Sequence, residues 1–236
     1  MKKGLLFALS LMCASAAWGE GKITLTTDAP VGTVVKFLPN VVSATQPLKI
    51  DWGNGVIVNE TVDPKTAAWN RWIEGTVEGG TITITGNLTE LTFQNAQLTS
   101  AVVEDVANLT SITLSNNALT SFELSGPSAL NSVDLSYNQL VNSPSVNPTL
   151  GLEACASSLT SLNVSHNTGL QCLKVDDLVN LVYLTANDCP EMVSIFICLP
   201  EVAQTTLRNI NLDNCNLAHF YPVSMPALRV LSLANN

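Results

Sequence analysis

The chain has 236 residues, of which 46% are hydrophobic and 12% charged, a core-rich globular composition with room for a repeat array and a small companion domain. Nineteen Asp and Glu against ten Lys and Arg leave a net charge of -9, and no basic run relieves it, so repulsion argues against nucleic acid and anionic membranes as partners. No apolar stretch reaches the length of a membrane span.

Residues 1–19 read as a secretory signal: Lys2 and Lys3 form a charged start, residues 4–13 are apolar, and small residues run to Gly19. Ala17 and Gly19 supply the small side chains that cleavage after Gly19 requires, with Ala16 as the alternative. An acylated Cys13 is the lipoprotein reading, and Met12 stands against it where a small residue is expected. The mature chain keeps Cys155, Cys172, Cys189, Cys198 and Cys215. Their odd number sets no disulfide framework, and free thiols buried as small hydrophobes account for them.

Residues 20–87 show alternating runs at 22–26, 33–37, 48–52 and 81–85, separated by turn signals such as Gly53-Asn54-Gly55 and Gly79-Gly80. They predict a small all-β domain that caps the rest of the chain.

From residue 88 to 236 the chain repeats itself. Leu88, Leu109, Leu130, Leu159, Leu181, Leu207 and Leu228 each open a segment L-x-x-L-x-L-x-x-N/C, at separations of 21, 21, 29, 22, 26 and 21 residues. The fourth and sixth positions are apolar in every copy. The ninth is Ala96, then Asn117, Asn138, Asn167, Cys189, Cys215 and Asn236, a ladder able to bond backbone groups that stacking would otherwise bury unpaired. A second apolar rhythm, Leu98, Val103, Leu119, Phe122 and Leu124, falls halfway round each turn and predicts an extended or 3₁₀ return flank. The insertion at 142–148 carries two prolines and predicts a loop that bulges from the stack. The chain stops at the ladder position of the seventh repeat, which predicts an array incomplete at its carboxyl end.

This pattern resembles the leucine-rich-repeat family, and more closely its short-repeat, internalin-like bacterial secreted forms. The likeness covers residues 88–236. It implies a mainly β fold: a leucine-rich-repeat solenoid of about seven turns with an extended or 3₁₀ convex side, preceded by the small all-β domain at 20–87. Asp51-Trp52-Gly53-Asn54-Gly55 is also similar to a turn seen before repeats in related bacterial surface proteins. The family likeness implies an exported protein, secreted or on the outer cell surface of a bacterium. It also implies a non-enzymatic module that binds a protein of a host or neighbouring cell, with a glycan as the alternative ligand. Its repeated residues build the core and so do not name the ligand. In a bacterium the sequons at Asn59, Asn87, Asn108 and Asn163 are coincidental.

Alternation along each strand turns the third, fifth, seventh and eighth positions toward the concave side. That face is polar and weakly charged, and Tyr137, His166, Tyr183 and Asp188 rise from it as the candidate contact residues. Trp52, Trp69 and Trp72 are expected to plug the open core at the amino end; a sugar-stacking platform is their other reading. No catalytic residue, metal site or cofactor is expected. A set of Ser165, His166 and Asp188 has no oxyanion hole or nucleophile elbow. Cys215 and His219 are too few for zinc, and ladder duty already explains Cys189 and Cys215. A disulfide between those two is compatible with their spacing, although free thiols are the preferred state.

Overall fold

The computed structural model describes residues 20–64, 71–126, 128–143, 145–197, 205–220 and 224–236. Residues 1–19, expected to be a signal segment, and Trp69, Pro144 and Cys198 lie outside the described residues. Among those described the chain is mainly β, with one 3₁₀ turn at Leu152–Cys155.

Thr-rich alternation makes the first strands, because β-branched residues on both faces favour extended backbone and every second one is apolar. In β1 (Lys22–Thr27), for example, Ile23 and Leu25 are fully buried while Thr24 and Thr26 are not. β2 (Val34–Val41), β3 (Leu48–Asp51), β4 (Ile57–Glu60), β5 (Ile73–Thr76) and β6 (Thr81–Thr85) come next. The repeats then supply seven short stacked strands: β7 (Leu88–Thr92), β9 (Ser111–Thr113), β11 (Ser132–Asp134), β12 (Ser161–Asn163), β14 (Tyr183–Thr185), β16 (Asn209–Asn211) and β17 (Val230–Ser232). Each pairs in parallel with the next, so Leu91, Ile112, Val133, Leu162, Leu184, Ile210 and Leu231 stand in one in-register column. Phe93, Leu114, Leu135, Val164, Ala186 and Leu212 form a second column, every member fully buried. The seven strands bound about six turns of a β-solenoid, one fewer than the seven repeat copies suggest, because the last copy contributes its strand without another stacked beyond it.

The return flank is extended where it is regular. β8 (Leu98–Glu104) and β10 (Ser121–Ser125) pair in parallel, as do β13 (Cys172–Lys174) and β15 (Ser194–Phe196), with the 3₁₀ turn between the two pairs in sequence. Within the insertion the structure departs from a simple bulge. Asn142 is buried, donates to the Cys172 carbonyl at 2.7 Å and accepts from the Gln171 and Cys172 amides. It acts as a ladder residue of the return flank, and Ser145, Val146 and Asn147 alone remain exposed among the described residues of 142–147.

The amino-terminal strands are continuous with the solenoid. β2 pairs antiparallel with β7, and β5 adds beyond it, so the concave sheet runs β17-β16-β14-β12-β11-β9-β7-β2-β5. On the opposite layer β1 pairs with β8, giving the order β10-β8-β1-β6-β3-β4. One core spans both regions: the Phe37 ring lies 5.2 Å from Phe93 and 5.9 Å from Trp52. Trp52 closes the end of that core. Gly75 is required beneath it, since a Cβ there would fall 2.0 Å from the indole. Trp72 belongs to no such plug, being 40% exposed. Among the described residues no helix is long and apolar enough to cross a membrane.

Candidate functional site

At the end of every repeat strand the chain turns inward to deliver the ninth residue to the core. The eighth residue makes that corner. Asn95, Asn116, Tyr137, His166, Asp188, Asn214 and Asn235 all have positive φ, between 54° and 57°. This left-handed conformation is cheap for Asn and Asp, whose short side chains bond locally, tolerated by His and strained for Tyr. The corners are held in register by backbone bonds to the next turn: Tyr137 N–H donates to Ser165 O, His166 to Asn187 O and Asp188 to Asp213 O, at 2.8–2.9 Å.

That register stacks the corner side chains on one another. The Tyr137 and His166 rings lie 4.0 Å apart at an interplanar angle of 15°. His166 Nε2 is 3.4 Å from Asp188 Oδ2. Asp188 Oδ1 in turn accepts from Asn214 Nδ2 at 2.7 Å, and Asn214 Oδ1 accepts from Asn235 Nδ2 at 2.7 Å. Asn187 donates to the second Asp188 oxygen. The result is an unbroken column of ring, imidazole, carboxylate and amides along the rim of the concave sheet. Tyr137 is half exposed, and the His166 and Asp188 side chains each keep about a third of their surface open.

Of the four residues singled out from sequence, the structure brings Tyr137, His166 and Asp188 together. Tyr183 stands apart, exposed at the start of β14, five positions before the Asp188 corner. Sequence reasoning missed Asn214 and Asn235 as members of the column. Their shared eighth position was the available signal.

One residue further in, the ladder side chains lie in the core. Asn138 Nδ2 donates to Leu114, Leu135 and Ser136 carbonyls and its oxygen accepts from Leu119 N–H. Asn117, Asn167 and Asn236 repeat the pattern one turn at a time. Cys189 and Cys215 donate instead through sulfur, to Val164 O at 3.5 Å and Ala186 O at 3.2 Å. Both are free thiols, as are Cys155 and Cys172. Hydrogen bonding between the two ladder thiols raises Cys189 and lowers Cys215, so the first negative charge of the pair belongs on Cys215. Burial pushes Cys155 up to about 12.

The Ser165 hydroxyl donates to Asn163 Oδ1 at 2.8 Å, bracing its own strand end, as Ser136 does with Asp134. Among the described residues no group of three or more His, Cys, Asp or Glu is placed to hold a metal ion. The column presents a flat aromatic face, a carboxylate and amides in a fixed line. Comparison with protein-family models, with curated proteins and with solved structures gives no match to this chain.

Proposed function

We propose that this chain is a non-enzymatic leucine-rich-repeat binding module, exported by a bacterium to its outer surface or surroundings, and that its concave face takes a protein ligand of a host or neighbouring cell. The observation that carries this reading is Tyr137 in a left-handed corner. The conformation costs about 1 kcal/mol for such a residue, and four of the seven corners use Asn, which adopts it easily. The stack on His166 offsets only part of that cost, and 52% of the Tyr137 surface stays exposed. Strain kept at an exposed aromatic group supports a binding role, and Tyr is among the residues that concentrate interface energy.

His166 stiffens the ring by stacking, and Asp188 with the amides beyond it provides directional acceptors and donors beside an apolar face. This combination suits a protein epitope carrying an aromatic or basic side chain. The experiment is affinity capture on the mature chain with host-surface extracts, followed by titration of the captured protein against wild type, Tyr137→Ala, Tyr183→Ala and the double variant. Tyr137→Ala is expected to weaken binding by about tenfold or more while the chain stays folded, its stability falling by no more than the stack on His166 contributes, about 1 kcal/mol. Equal affinity of the double variant and wild type would remove the concave face as the binding site.

A further inference from the structure

We propose that the junction of β2, β5 and β7 carries a separate saccharide-binding subsite, sized for one sugar unit of a neutral glycan. The pairing of the strands assembles it. Lys36 of β2 lies opposite Glu74 of β5, and Leu38 lies opposite Thr92 of β7, which brings Lys36 beside Gln94 two residues further along. These side chains, with Val34, Trp72 and Asn95, line a groove of about 300 Å³ on the concave face.

That volume lies at the small end of ligand sites. Its chemistry is mixed in the manner a pyranose demands. Trp72 presents an indole that the fold does not bury, in contrast with Trp52, and an aromatic face packs on the apolar C–H face of a sugar ring. Around it stand a donor, Lys36, an acceptor, Glu74, and the amides of Gln94 and Asn95, which serve as both. The Lys36 ammonium lies over the Trp72 ring, 5.2 Å from its centroid, so a sugar packs on the opposite face of the indole or displaces the ammonium; neither Lys36 nor Glu74 forms an ion pair among the described residues. Gln94 is held in place by its bond to Ser115 Oγ at 2.5 Å. One positive and one negative group balance, which favours a neutral sugar over a uronic or sialic acid, and the acidic chain as a whole points the same way. Asn95 is the first of the left-handed corners. It stands two turns from Tyr137, about 10 Å at the spacing of adjacent strands, so the groove and the Tyr137 column are distinct places on one sheet.

The inference does not rest on the protein-ligand reading. The test is calorimetry, with tryptophan fluorescence in parallel, on the mature chain titrated with neutral hexasaccharides of glucose, mannose and N-acetylglucosamine and with a sialylated oligosaccharide. At least one neutral oligosaccharide is expected to bind and perturb the fluorescence. Trp72→Ala should weaken it by about tenfold or more, Trp72→Phe should retain part of the affinity, and Tyr137→Ala should leave it unchanged. Gln94→Ala, whose site is polar and away from the core, provides a second reduction should Trp72→Ala alter the melting curve. Absence of binding to every neutral oligosaccharide, preference for the sialylated one, or wild-type affinity in the Trp72→Ala and Gln94→Ala variants would overturn the proposal. Loss of binding on Tyr137→Ala would overturn it as well, by moving the sugar to the corner column.

Discussion

The imidazole of His166 lies face to face with the ring of Tyr137, 4.0 Å away, although the two residues are 29 apart in the chain. Both occupy left-handed corners, with φ of 54° and 57°, a conformation His tolerates and Tyr does not adopt easily. The stack returns part of that strain, since an aromatic pair contributes about 0.5–1.5 kcal/mol beyond area burial.

Replacement of Tyr137 by Asn therefore separates stability from binding. Asn relieves about 1 kcal/mol of backbone strain while the stack is lost, two effects of similar size and opposite sign. Urea denaturation is expected to place Tyr137→Asn within about 1 kcal/mol of wild type. Affinity for a captured protein partner should fall all the same. A variant that is much less stable, or one that binds as wild type, would show that the ring serves the fold.

Asn138→Ala is expected to destabilise by about 2 kcal/mol, because it leaves the Leu119 N–H unpaired in the core and takes one of two side-chain donors from the Leu114 and Leu135 carbonyls, which keep Asn117 and Asn167. Asn138→Cys should cost less, since a thiol donates to the neighbouring carbonyls at Cys189 and Cys215. Equal losses for the two variants would remove the bonding account of the ladder.

Leu135→Asp and Leu212→Asp each set a carboxylate into the second apolar column, where the native side chains are fully buried. A loss of about 4 kcal/mol or more, with collapse of the β signal in circular dichroism, is expected. Both variants melting within a few degrees of wild type would contradict the register.

Alkaline pH should reveal Cys155. Its thiol ionises at the ordinary 9.0 when unfolded and at about 12 in the fold, where burial is the main cause. The fold holds the proton more tightly, so this contribution is intact below pH 9 and is lost as pH rises from 9 through about 12. Denaturation midpoints measured from pH 8 to 11 should fall less steeply for Cys155→Val than for wild type. Parallel curves would show that this thiol does not titrate with unfolding.

How much of this was legible before folding depends on whether a position repeats. The apolar columns headed by Leu91 and Phe93, the Asn and Cys ladder, and the polar concave face all derive from residue spacing, because parallel strands in register carry like positions onto like positions. Even the corner column was present as the eighth position, with Asn at Asn95, Asn116, Asn214 and Asn235. What hid it was the three members that depart from Asn, Tyr137, His166 and Asp188, whose interest lies in what they touch across turns. Tyr183 looked equal to them in sequence and is not, since it begins its strand where they end theirs.

The amino-terminal third was legible only as strands. Nothing in residues 22–85 states that β2 continues the concave sheet while β1 joins the opposite layer, or that Trp52 is buried and Trp72 exposed. Those outcomes depend on antiparallel pairings such as Leu38 with Thr92 and Ile23 with Val103, between strands that share no repeat. A period of about twenty residues carries its register in the sequence itself, whereas two unlike strands far apart in the chain acquire theirs from the packing of Phe37 on Phe93 and Trp52, which exists only once the core has formed.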